Sequence, residues 1–342
     1  MAAHKTYRLD LALQGGGSHG AFTWGVLDAL LEDGSYEFEG ISGTSAGAMN
    51  AVALAAGFAE AKTEGMSEAE AHKARCELAR QKLHTFWWEV GKIGTLLAAS
   101  PAAFAAQLMP WLRPVLAPAQ SNPFDINPLR RILNNIVDFD LIASLQEAPW
   151  MPQLFICATC VRTGKAEIFT NCNVSSQAVM ASACLPMLYQ AVEIDGEQYW
   201  DGGYAGNPVL YPLIYQTPAT DILLVQINPI AIENMPKTMD EIQDRANQIT
   251  FNAGLLMELR AIRFVTRLVE EQKLDTSRYR KVFLHQIDGG AKLMGYGSDS
   301  KVKSDWSFLQ QLFEQGREAG QQWLKTDAKH LGKKNTMAKI ID

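Results

Sequence analysis

The 342-residue chain is poor in the features that mark several whole classes of protein. Its five cysteines are an odd number and widely spread, which excludes a disulfide framework. Cys157 and Cys160 make a C-x-x-C, but no second such pair closes a zinc site. They fall in a β-like run at 153–161, where positions three apart face opposite sides of a strand. They read as structural, and no metal is expected. Basic charge is also short: 31 Lys and Arg stand against 37 Asp and Glu, a net charge of -6. That balance argues against nucleic acid as a partner. Residues 1–10 lack the apolar core of a secretory signal, so a reducing cytoplasm is the expected compartment. There is no internal repeat and no low-complexity linker. Charge is missing altogether from 93–112. That length could span a membrane, but Pro101 and Pro110 interrupt it and Pro114 and Pro118 follow. A pair of short helices lying in a lipid surface fits better than one spanning helix. Peripheral membrane contact through 93–118 is therefore expected, with a buried helical hairpin as the plainer alternative.

Small residues, by contrast, are concentrated where they carry meaning. Gly43-Thr44-Ser45-Ala46-Gly47 is a G-x-S-x-G between a β-prone stretch at 36–41 and an Ala-rich helical one at 46–56. A strand, a sharp turn and a helix make the context of a nucleophile elbow. The turn requires small residues two before and two after the serine. The Ser45 hydroxyl then stands at a helix N-terminus, where N–H groups and the helix dipole favour developing negative charge.

A second motif precedes it. Tyr7–Leu13 alternates like a strand and runs into Gln14-Gly15-Gly16-Gly17-Ser18-His19-Gly20, with a helix expected from 21 to 31. Three consecutive glycines let several N–H groups converge on one spot, which suits a phosphate or an oxyanion. Gly15, Gly17 and Gly20 also satisfy G-x-G-x-x-G, so dinucleotide binding is an alternative, with Glu37 or Glu39 on the ribose. Those acids precede a strand that ends in the serine elbow, which favours an oxyanion hole beside a nucleophile.

The third element is Tyr199-Trp200-Asp201-Gly202-Gly203-Tyr204. Asp-Gly-Gly is strong turn chemistry in its own right. Beside the first two motifs, Asp201 becomes the candidate base. Together with Ala181-Ser182-Ala183-Cys184-Leu185-Pro186, these motifs occur in one order over residues 7–210 and the chain resembles the patatin-like phospholipases. The resemblance implies a Ser–Asp dyad, with Ser45 as nucleophile and Asp201 as base. It implies an α/β fold: a three-layer sandwich with a mostly parallel central sheet, related to the α/β-hydrolases, with a helical insertion. It also implies hydrolysis of acyl esters in lipids, with no cofactor. Gly15, Gly16, Gly17 and Ala46 would supply the oxyanion hole, and His19 would contact substrate. Two positions depart from the family pattern. Gln14 stands where many members have Asp, and His19 where many have a cation that would help bind phosphate.

Elsewhere the pattern predicts a charged helix over 64–90, a short helix over 127–135 and strands at 153–161, 166–170 and 191–194. A helix at 175–184, a buried strand at 221–228, a long amphipathic helix at 238–273, a strand at 281–287 and a helix at 306–325 complete the reading. Leu255, Leu259, Ile262 and Leu268 share one face of the long helix, and Arg260, Arg263 and Arg267 share another. One catalytic domain over 7–325 is expected, with an apolar helical insertion at about 64–135. The basic tail at 326–342 is expected to fray. Three rivals remain at this level. They are a full triad with His285 as base, transfer of the acyl group to another acceptor or hydrolysis of a storage polyester, and a regulatory protein that has lost activity.

Overall fold

The computed structural model describes residues 6–98, 127–276, 278–296 and 298–337. The chain runs β1 (Tyr7–Leu13), α1 (Gly20–Asp33), β2 (Tyr36–Thr44), α2 (Ala46–Glu60), α3 (Glu68–Ala98), α4 (Pro128–Ile136) and α5 (Phe139–Ser144). It continues with β3 (Gln153–Cys160), β4 (Ala166–Phe169), α6 (Ser176–Ser182), β5 (Val192–Ile194), β6 (Glu197–Asp201), α7 (Tyr211–Gln216) and β7 (Asp221–Gln226). The last elements are α8 (Met239–Glu270), β8 (Phe283–Asp288), α9 (Gly290–Leu293) and α10 (Trp306–Thr326).

One sheet runs in the order β5-β6-β3-β2-β1-β7-β8, with β4 on β3. Its centre, β3-β2-β1-β7-β8, is parallel, and β4, β5 and β6 join antiparallel at one side. Strand alternation divides the core into two layers. Leu9, Leu11 and Leu13 of β1, with Leu223 and Val225 of β7, pack against α1, α2, α3 and α10. Ala12, Ile222 and Leu224 face the other way, onto Leu255, Leu259 and Ile262 of α8. The result is helices on both faces of a mostly parallel sheet, the three-layer α/β sandwich the sequence implied.

The helical insertion differs in detail. The predicted helix at 64–90 continues unbroken to Ala98. Gly91 and Gly94 do not end it, because they admit a close neighbour: a Cβ on Gly94 would lie 2.1 Å from the Ser304 carbonyl oxygen. Loss of helix propensity at glycine is offset by packing that a side chain would forbid. The rest of the uncharged segment, 99–126, lies outside the described residues. No helix among the described residues is long and apolar enough to cross a membrane.

The start of the C-terminal tail does not fray. The N–H groups of Thr336 and Met337 both donate to the Leu284 carbonyl at 3.1 Å, and Leu331 is buried. Residues 328–337 dock on β8, an edge strand of the sheet among the described residues.

Candidate active site

Parallel strands bring the three motifs to one end of the sheet. β1 ends at the glycine loop and its parallel neighbour β2 ends at Ser45. β3 then places the third. Its Cys157 pairs with Thr44, and the next residue, Ala158, pairs with Asp201. Consecutive rungs of one strand therefore carry the residue before Ser45 and Asp201 itself.

Ser45 sits at φ 54° and ψ -120°, a left-handed conformation rare for a residue with a side chain. The surroundings hold it there. Its N–H donates to Ser182 Oγ at 2.9 Å, and Ser182 in turn donates to the Cys157 carbonyl at 2.6 Å. The Thr44 hydroxyl donates to the Gly206 carbonyl at 2.8 Å, and Ser42 donates to the Val209 carbonyl at 2.6 Å. The end of β2 is thereby latched to the loop that follows Asp201.

Asp201 is almost wholly buried. Its N–H donates to the Cys184 carbonyl at 2.7 Å, and its carbonyl accepts from Thr159 Oγ1 at 2.8 Å. The carboxylate accepts from the Gly203 N–H at 2.7 Å, and the Ser45 hydroxyl, a second donor, faces it. Burial pushes its pKa up to about 7, against the smaller opposing effects of those two donors. A carboxylate with that pKa is a far better base than an exposed one.

The glycine loop is braced by residues whose role the sequence did not disclose. Gln14 is buried, and its side chain makes four hydrogen bonds of 3.1 Å or less. Its Nε2 donates to the Asn207 carbonyl at 3.1 Å and to Asn252 Oδ1 at 3.0 Å. Its Oε1 accepts from the N–H groups of Ile227 and Asn228, each at 2.9 Å. An Asp at this position could not donate, so the departure from the family pattern goes with a different bracing network. Gly15 approaches the elbow so closely that a Cβ would lie 2.6 Å from both Ser45 Cβ and the Thr44 carbonyl oxygen. Its N–H donates to Asn207 Oδ1 at 2.6 Å, and its carbonyl accepts from Asn228 Nδ2 at 2.6 Å. That N–H is thus already engaged by a side chain of the loop that follows Asp201.

Ser45 opens into a cavity of about 310 Å³. Met49, Phe86, Trp87, Val90, Ile132 and Leu188 line it, so its walls are largely apolar. α3 supplies Phe86, Trp87 and Val90, and because it runs on past Val90 it adds Ile93 to the lining. Trp87 is fixed by its Nε1 donating to Asn50 Oδ1 at 2.9 Å.

Two expected residues lie elsewhere. His19 does not line the Ser45 cavity but a neighbouring one. Its Nε2 is 2.7 Å from Ser300 Oγ. Burial, then the charge of Lys301, lowers its pKa to about 4. The turn of the glycine loop between Ser18 and Gly20 sends the two side chains to different cavities, which spacing alone does not reveal. His285 is buried in β8, with Nε2 2.9 Å from Asp221 Oδ1 and Nδ1 2.9 Å from Thr336 Oγ1. Asp221 begins β7, whereas the motifs cluster where β1 and β2 end, so His285 is remote from Ser45. Burial tends to raise the Asp221 pKa, but hydrogen bonds from His285, Gly332 and Thr220 outweigh it and hold the group below its ordinary value. Glu39 is ion-paired to Arg8 at 3.0 Å, before the elbow and away from the glycine loop. Cys157 and Cys160 are free thiols, and no cluster among the described residues has the donors for a metal ion.

The sequence profile described as patatin-like phospholipase matches residues 11–214, more than half of the chain and every motif above. The chain belongs to the patatin-like phospholipase family. At family level it is a lipid acyl hydrolase. Among solved structures it is similar to VipD from Legionella pneumophila, at 17% identity and a TM-score of 0.38, covering 91% of this chain and 67% of that one. It is also similar to the ExoU–SpcU complex of the type III secretion system of Pseudomonas aeruginosa, at 18% identity and a TM-score of 0.29, covering 75% of this chain and 52% of that one. A structure of ExoU alone matches at 14% identity and a TM-score of 0.29, over 92% of this chain and 54% of that one. This patatin-like chain thus spans about half the length of ExoU. No curated protein matches it.

Proposed function

We propose that this chain is a serine hydrolase that cleaves acyl esters of lipids through Ser45 and Asp201. The observation that carries the reading is the strained Ser45, its hydroxyl facing a buried carboxylate, at the floor of an apolar cavity. As the Ser45 Oγ attacks the ester carbonyl carbon, its proton passes to Asp201. The carbonyl oxygen becomes an oxyanion, received by the N–H groups of Gly16, Gly17 and Ala46. Ala46 opens α2, where the first N–H groups have no intrahelical partner and the dipole favours the charge. One such donor contributes about 3 kcal/mol to the transition state. The alcohol leaves with the proton, and a water activated by Asp201 releases the acyl group from Ser45.

The apolar cavity suits an acyl chain. The family name supports a phospholipid as its source, with residues 7–325 acting as one catalytic unit and 93–118 touching the lipid surface. Peripheral binding from the cytoplasm is consistent with that picture.

The test is covalent. A fluorophosphonate should label the wild-type protein and leave Ser45→Ala unlabelled. Product analysis on a panel of phospholipids, lysophospholipids and neutral glycerides then names the ester. Equal labelling of both proteins rules Ser45 out as nucleophile.

A further inference from the structure

Beside the Ser45 pocket lies a second cavity, of about 440 Å³, and Lys301 lines both. His19 closes one wall of the second cavity, and Asp244, Arg245 and Gln248 of α8 close another. The Lys301 carbonyl abuts Gly17, so this wall rests directly on the glycine loop.

The charges around the cavity are unevenly satisfied. The Glu241 carboxylate accepts the N–H groups of Lys237 and Thr238 at 2.7 and 2.9 Å and is committed to capping α8. Asp244 accepts from Gln248 Nε2 at 2.7 Å and from Lys301 Nζ at 3.4 Å, a long contact. Glu233 is exposed at the rim. Arg245 is half-buried and donates to three neutral acceptors, the carbonyls of Pro229 and Ile230 and Gln248 Oε1. Among the described residues no carboxylate pairs with it. A partly buried guanidinium without a counter-ion is unfavourable until an anion completes it.

A second observation points the same way. His19 is only 3% exposed, and its Nδ1 is buried with no hydrogen-bond partner. Buried polar atoms in folded proteins are rarely left unmatched, and an exception beside a cavity leaves room for a water, an ion or a ligand as partner.

We propose that this cavity binds a phosphate group, gripped by Arg245 and Lys301, with His19 Nδ1 as a further hydrogen-bond partner. Arg245 offers the planar fork that matches phosphate oxygens, and Lys301 adds a point charge at the boundary with the Ser45 pocket. A phosphate held there sits beside an acyl ester at Ser45, the arrangement within a glycerophospholipid. The lipid source rests on the hydrolase reading above, whereas the phosphate site stands without it.

The experiment starts from Ser45→Ala, which separates binding from turnover. Glycerol 3-phosphate and inorganic phosphate are titrated in, with calorimetry and ¹⁵N NMR of the histidine ring nitrogens, His19 being assigned through His19→Gln. Both ligands should bind and move the His19 signal, and uncharged glycerol should do neither. Arg245→Gln and Lys301→Gln should each weaken the affinity tenfold or more, with melts to establish that the variants fold. If neither folds, the His19 signal in the parent protein decides. In the protein with Ser45 intact, Arg245→Gln should raise KM for a phosphatidyl lipid more than for a diacylglycerol of the same chains. If phosphate binds but the two KM values move together, the phosphate belongs to a free metabolite and not to a lipid headgroup. Phosphate and glycerol 3-phosphate that leave the His19 signal in place, or bind with no dependence on Arg245 and Lys301, overturn the site. Absence of any hydrolysis by the wild-type protein would remove the lipid source alone.

Discussion

Ser182 holds the Ser45 N–H at 2.9 Å while donating to the Cys157 carbonyl at 2.6 Å, so one hydroxyl ties α6, β3 and the elbow together. Ser182→Ala leaves a part-buried N–H unsatisfied, a cost of about 1–3 kcal/mol. Some of that cost falls on folding and some on the strained serine, whose hydroxyl then loses its set direction. Turnover of a soluble short-chain ester should fall roughly tenfold, equivalent to about 1.4 kcal/mol. The fluorophosphonate labelling rate should fall with it. An unchanged labelling rate in a folded variant would mean that Ser182 does not position the nucleophile.

The layout of the site was legible in the sequence to the extent that backbone geometry dictates residue type. The elbow and the glycine loop need small residues, and strands that alternate in hydrophobicity disclose their own faces, as Leu9, Asp10 and Leu11 do. What was not legible depends on partners distant along the chain. Gln14 reads as a departure until Asn207, Asn252 and Ile227 surround it. α3 reads as ending near Val90 until Ser304 packs on Gly94. The tail reads as frayed until Leu284 accepts its N–H groups. His19 stands in the glycine loop by sequence, but only the fold sets its ring against Ser300 and the neighbouring cavity. No local rule contains these tertiary contacts.

A second prediction concerns pH. On the proposed mechanism Asp201 must be ionised to take the Ser45 proton, and burial raises its pKa to about 7. Below that pH the group is protonated and cannot act as base. kcat/KM should therefore rise with pH, reach half its plateau near 7 and level off above it. A stopped pH series on a short-chain ester measures this. A profile already flat at pH 5 would mean an unperturbed carboxylate or a different base.

A third prediction follows from the same shift through linkage. The folded-state pKa of Asp201 lies above its unfolded value, so proton binding favours the folded state. Its contribution to stability is full below about pH 4 and is lost as pH rises through about 7. Above that, folding buries a charge. Asp201→Asn stays neutral and still accepts the Gly203 N–H. The variant should be inactive yet more stable than wild type at pH 8, by up to about 4 kcal/mol at 1.36 kcal/mol per pKa unit. The gap should shrink toward pH 4. Asp10, whose pKa burial also raises to about 7, is present in both proteins and cancels. Urea melts at pH 5 and pH 8 read the difference. A variant less stable than wild type at pH 8 would show that the buried carboxylate is not a cost to folding.

The last prediction separates the dyad from a histidine triad. His285 bridges Asp221 and Thr336 at 2.9 Å on either side and is fully buried. It joins two strands and the docked tail far from the elbow. His285→Ala leaves a cavity and takes a partner from a carboxylate that is itself largely buried. Loss of about 2–4 kcal/mol in stability is expected, in line with truncation of a buried side chain that makes hydrogen bonds. The tail should loosen as well, because Thr336 loses its contact; faster proteolysis beyond residue 326 would report that. The turnover number on a short-chain ester, measured well below the melting temperature, should stay within about twofold of wild type, since the change in transition-state free energy is then under about 0.5 kcal/mol. A folded His285→Ala protein without activity would return the general-base role to histidine and remove it from Asp201.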